Sequence, residues 1–81
     1  MKNTIKILNA NHAIIENERG QFLQSYNIIA CAIIDDIIYF DKKFSFYSKT
    51  TSKYQSIFLG IDIKEQKKLI EEGKAQITNL N

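Results

Sequence analysis

The chain has 81 residues, 44% of them hydrophobic and 25% charged, with three glycines, no proline and a formal net charge of +2. That is the length and composition of one small globular domain, and it excludes a disordered, fibrous or low-complexity chain. The charge is too small to announce nucleic-acid or membrane binding, although Lys42, Lys43, Lys49 and Lys53 concentrate positive charge in the middle. A single cysteine, Cys31, excludes an intramolecular disulfide and points to a reducing compartment, so a cytoplasmic location is expected. The start MKNTIKILNANHAII has no apolar h-region and no small-residue cleavage site, so no signal peptide is expected. The longest apolar run, Ile28 to Ile34, is far shorter than the roughly 20 residues of a membrane helix.

Thr4 to Leu8 alternates weakly and is rich in β-branched residues, which predicts a short first strand followed by a turn over Asn9 to His12. Ala13 to Glu16 reads as a second strand, ending in a turn over Asn17-Glu18-Arg19-Gly20 in which Gly20 takes positive φ. A helix over Ala13 to Gln24 is the rival reading, and Asn17 and the mid-segment Gly20 argue against it.

Tyr26 to Tyr47 holds the densest apolar content and reads as a β-hairpin. A two-residue loop at Asp35-Asp36 pairs Ile34 with Ile37, Ile33 with Ile38 and Cys31 with Phe40. Simple alternation then puts Ile29, Cys31, Ile33, Ile38, Phe40, Phe44 and Phe46 on one face, the candidate core. Ile28, Ala30, Ala32, Ile34, Ile37 and Tyr39 fall on the other. Too little chain remains to cover Ile28, Ile34, Ile37 and Tyr39, which predicts a weak homodimer through that second face.

After Tyr47 the hydrophobic period changes from two to about 3.6, with Tyr54, Ile57 and Phe58 at helical spacing. This predicts a helix over 51–59, capped by a hydroxyl among Ser48 to Ser52 and stopped at Gly60. A second helix over 63–72 starts from Asp62 as N-cap with Glu65 three residues on, and carries Lys67 to Glu71 and Lys68 to Glu72 pairs. Ala75 and Ile77 in the tail suggest a short edge strand. The expected class is α+β: a small antiparallel sheet built on a central hairpin (about residues 26–47), with two short C-terminal helices packed on the face bearing Cys31 and Phe40.

No catalytic, metal or cofactor motif stands out. Asp35, Asp36, Asp41 and Asp62 are the carboxylates available for acid-base or cation chemistry, and turn and capping roles account for the type better. His12, the single histidine, has no serine or cysteine partner at a recognisable spacing and reads as a surface turn residue; Cys31 reads as a packing residue. The segment Phe40 to Tyr54 interleaves aromatics with lysines, as platforms for single-stranded nucleic acid do, and its hydroxyls at a helix start could hold a phosphate. Core packing and ordinary caps explain the same residues.

Ser25-Tyr26-Asn27, then Tyr47-Ser48-Lys49-Thr50-Thr51-Ser52-Lys53-Tyr54 and Phe58-Leu59-Gly60, resemble small uncharacterised proteins of phages and other mobile elements. The pattern there is Ser-Tyr-Gly, a hairpin, and Ser-x-Thr-Thr-x-Lys-His leading to Phe-Leu; here Asn27 and Tyr54 stand in place of the glycine and the histidine. The resemblance implies a phage or plasmid accessory protein, a class that includes inhibitors of host defence systems. The expectation is a non-enzymatic protein without cofactors that binds a host or phage protein. Tyr39, Tyr47 and Tyr54 would be its anchors, with Lys43, Lys49 and Lys53 steering an acidic partner. The alternative is a small nucleic-acid-binding protein using residues 40–54.

Overall fold

A computed structural model describes residues 4–81. Five strands follow one another as an antiparallel meander: β1 (Thr4–Asn9), β2 (His12–Asn17), β3 (Gly20–Ser25), β4 (Ile28–Ile34) and β5 (Ile37–Asp41). Two helices, α1 (Lys49–Leu59) and α2 (Ile63–Glu71), then lead to β6 (Ala75–Thr78), which lies parallel to β5. The sheet order is β1-β2-β3-β4-β5-β6. A parallel neighbour cannot be reached by a tight turn, so the helical pair is the crossover that β6 requires. It also roofs one side of the sheet, giving the expected α+β architecture.

The Asp35-Asp36 hairpin forms as the sequence predicts, with Ile34 opposite Ile37, Ile33 opposite Ile38 and Cys31 opposite Phe40. Both aspartates have positive φ, 52° and 64°, as a type I′ loop demands and as short Asp side chains tolerate. The hairpin is shorter than predicted. Tyr26 and Asn27 form a turn, Gly20–Ser25 is a strand of its own, and β5 stops at Asp41 rather than running to Tyr47. Asp41 ends it: its carboxylate accepts the Lys43 and Phe44 amides at 3.0 and 2.8 Å, folding the chain back on itself.

A second correction concerns faces. The β3–β4 register shifts between Leu23 and Gln24, so that Leu23 opposes Cys31 while Gln24 opposes Ile29, with Ala30 as the extra residue. Residues before the bulge therefore swap sides relative to simple alternation. Ile28 packs in the core and Ile29 lies on the uncovered face, the reverse of the prediction.

Leu23, Cys31 and Phe40 form a fully buried row under the helices, with Ala75 beside them, and Tyr54, Phe58, Leu59, Leu69 and Ile70 close it from above. Burial of each large side chain contributes about 1.5–3 kcal/mol. Buried amides join the two helices: Gln55 donates to Gln66 Oε1 at 3.1 Å, and Gln66 donates to Ile61 O and Ser56 Oγ. α1 starts on Ser48, whose hydroxyl accepts the Thr51 amide, and stops at Gly60 with φ of 73°. α2 starts on Asp62, which accepts the Glu65 amide. In place of the predicted pairing with Glu71, Lys67 lies over the Phe46 ring, and Glu72 meets Lys74 at 3.5 Å.

Candidate functional site

Ser25, Tyr26, Ser48, Thr51 and Tyr54 of the pattern converge at one end of the sheet, where the β1–β2 and β3–β4 turns meet the start of α1. The side chain at their centre is His12. It was expected in a surface turn without a partner; it is instead the first residue of β2, 2% exposed and paired with Ser25 across the ladder.

Its hydrogen bonds can be followed proton by proton. The Asn11 amide donates to Asn9 Oδ1 at 2.7 Å, which fixes the orientation of the Asn9 carboxamide. His12 Nδ1 lies 3.0 Å from the same oxygen and must donate to it. Burial lowers the His12 pKa, so the ring is neutral and Nε2 accepts. The Ser25 hydroxyl donates to Nε2 at 3.0 Å, Thr51 donates to Ser25 Oγ at 3.3 Å, and Ser48 donates to Thr51 Oγ1 at 3.1 Å. Asn9 Nδ2 donates to the Tyr54 hydroxyl at 2.7 Å. Tyr54 stacks on His12 with ring centres 4.0 Å apart, and Tyr26 meets it edge-on at 5.3 Å. Every buried side-chain polar atom among the described residues is satisfied.

Serine on imidazole on carboxamide has the polarity of an acyl-transfer relay. Its accessibility does not match one. Ser25 is 1% exposed and its oxygen is occupied by Thr51. The neighbouring open groove, about 460 Å³, is lined by Ile5, Ile7, Asn9, His12, Gln24 and Tyr26 among others, and Ser25 does not reach it. As built, the network braces α1 against β2 and β3. Tyr26 is held at a φ of 58°, which a bulky residue rarely adopts, by its N–H donating to Asn11 O at 2.6 Å and by Gln24 donating to its carbonyl.

The predicted partner-binding residues fall into separate places. Tyr54 is half-buried on His12, with Lys53 Nζ 5.7 Å from its ring centre. Tyr39 is half-buried on the sheet face away from the helices. Lys43, Tyr47 and Lys49 are exposed on the segment between β5 and α1 and its first helical residue. Tyr47, 73% exposed, packs at 6.1 Å on Phe44, whose ring carries Lys43 Nζ at 5.4 Å. Residues 42–53 hold four lysines and no acid, and Lys49 stands in the first turn of α1 at the positive end of its dipole.

The carboxylates are scattered: Asp35 and Asp36 in the turn, Asp62 capping α2, and Asp41 buried. Burial opposes ionisation of Asp41, but donation from the Leu80, Phe44 and Lys43 amides and from Asn81 outweighs it and lowers the pKa. No group of three His, Cys, Asp or Glu side chains suited to a metal occurs among the described residues. Cys31 is buried, which pushes its thiol pKa well up. No helix is long and apolar enough to cross a membrane among the described residues.

Tyr26 and Asn9 were missed as site residues, and His12 was misread. Its partner Ser25 is 13 positions away and Thr51 lies 26 beyond that. The available signal was the quoted pattern itself, whose Ser25, Ser48 and Thr51 are the hydroxyls of the relay.

Neither a curated protein nor a solved structure matches the chain. Residues 1–78 match the model of a family of unknown function, DUF8033, and the chain belongs to that family.

Proposed function

We propose that the protein is a non-enzymatic accessory protein of a phage or other mobile element, a weak homodimer that acts by occupying a surface of a host or phage protein. Interference with a host defence system is the sharpest form of this reading. One observation carries it: the segment leading into α1 presents Tyr47, 73% exposed, among Lys42, Lys43, Lys49 and Lys53 with no acidic residue in residues 42–53. Lys49, in the first turn of α1 with no acid beside it, opposes the helix dipole by roughly 0.3–1 kcal/mol. An acidic partner would reverse its sign, and an exposed tyrosine is a common interface anchor. The closure of Ser25 supports the non-enzymatic part, and the resemblance to mobile-element proteins supports the origin.

The same lysines and aromatics favour the second reading, single-stranded nucleic acid bound along residues 40–54. Tyr54 is committed to His12 and Phe46 to Phe40, which leaves Tyr47, 73% exposed, as the open stacking surface on that segment. This is one ring where a platform uses several. The test is a tagged pull-down from the native host with mass spectrometry, repeated with Tyr47→Ala and Lys53→Glu, alongside mobility shifts with DNA and RNA at low salt. Capture of one protein by the wild type, lost in the variants, is expected. A nucleic-acid shift that falls steeply with salt, without a captured protein, would transfer the proposal to the second reading.

A further inference from the structure

The side of the sheet away from the helices is uncharged along its central rows. The ladders align Ile5, Ile15, Phe22, Ala32, Tyr39 and Gln76 in one row across all six strands. Ile7, Ala13, Gln24 and Ile29 follow in the next row, and Ile34 and Ile37 lie towards the opposite end. None of these side chains is ionisable at neutral pH; the charged groups on this side stand at its rim, Arg19 beside Ile15, Phe22 and Ile34, and the buried Asp41 two residues beyond Tyr39 on β5. Ile5, Ile7 and Ile37 are 60%, 69% and 40% exposed. The C-terminal Leu80 borders this face beside Ile29 and Ile34, and Asn81 bonds both the Ile29 amide and its carbonyl.

Charge decides what can cover such a surface. A patterned foreign partner would be read by complementary charges, and the central rows of this face offer none, since Arg19 stands at the rim and Asp41 is 1% exposed. Two identical copies meet across a two-fold axis only if the surface is complementary to itself, which an uncharged apolar face is. We infer that the row Ile5–Ile15–Phe22–Ala32–Tyr39 is a two-fold interface with a second copy of this chain, the two sheets packing face to face. This rests on the homodimeric state proposed above and adds its surface and its consequence. Six strands about 4.8 Å apart, each about six residues long, give roughly 500 Å² per copy before side-chain relief. A standard interface takes about 800 Å² per partner, so the pair belongs to the weak, reversible class. Tyr47 and its lysines belong to none of the rows that would pair, so each copy keeps that segment. The dimer is thereby a bivalent ligand, suited to a partner that is itself dimeric or repeated along an assembly.

Sedimentation velocity over a micromolar to millimolar series tests the interface without reference to any partner. The mass should rise from 9.4 kDa towards twice that value. Ile5→Glu and Ile7→Glu should each weaken dimerisation by at least about tenfold, with circular dichroism unchanged. Ile77→Glu, equally exposed on β6 but on the helix side, should leave it intact. A monomer at every concentration, or a dimer broken by Ile77→Glu and indifferent to both β1 variants, overturns the inference. Partner capture by a strictly monomeric protein would remove the dimer and leave the binding function standing.

Discussion

Ser25→Ala removes one oxygen from the centre of the relay, and the structure sets the size of the effect. His12 Nε2 loses its donor and the Thr51 hydroxyl loses its acceptor, both in side chains no more than 2% exposed. A buried polar group left unsatisfied costs about 1–3 kcal/mol, so the two together come to roughly 2–4 kcal/mol after partial relaxation. A domain of this size has on the order of 4–12 kcal/mol in total. One kcal/mol corresponds to about 4–8 °C in Tm, which puts the expected loss at roughly 8–32 °C. Urea unfolding followed by far-ultraviolet circular dichroism measures it. Thr51→Val in the same background should cost less than it does alone, because its donor has already lost its acceptor; a coupling of roughly 0.5–3 kcal/mol is expected. A Ser25→Ala cost below about 0.5 kcal/mol, with strict additivity of the pair, would refute the relay.

Stability should also step with pH. Burial lowers the His12 pKa from its ordinary 6.5, so the unfolded chain takes up a proton that the fold resists. Stability is therefore full above about pH 6.5 and declines as pH falls towards the depressed value, a step that His12→Asn should remove. Asp41, lowered from 3.8, adds a second loss below about pH 4, as pH passes through its folded value. A urea midpoint that does not change between pH 7 and 5 would contradict the first assignment. Gly20→Ala should be among the most damaging single-methyl additions, since a Cβ there would overlap the Ile33 carbonyl and the φ of 150° disfavours alanine. A loss of under 1 kcal/mol in the same assay would contradict that packing.

The parts of the fold legible in sequence were those set by local signals. The Asp35-Asp36 loop, the change of period after Tyr47, Asp62 and the stop at Gly60 are each decided within a few residues. The bulge at Ala30 was not legible, because Ile28 to Ile34 is apolar at every position and a slipped register leaves no mark on its pattern. The Tyr26-Asn27 turn was hidden for a related reason: tyrosine carries no preference for positive φ, and its conformation is imposed by Asn11 and Gln24. The His12 site draws on β1, β2, β3 and α1 at once, so no spacing rule within one segment could assemble it.

The most direct test of partner binding is site-specific photocrosslinking in the native host, with a benzophenone amino acid placed at Tyr47 and, separately, at Ile77. Both positions are exposed, 73% and 55%, and Ile77 lies on the edge strand β6. A single protein crosslinked in good yield from position 47, absent from position 77 and lost when Lys43 and Lys49 are changed to glutamate, is the expected result. Equal, diffuse labelling from both positions, or crosslinks to nucleic acid alone, would contradict a protein partner held at the start of α1.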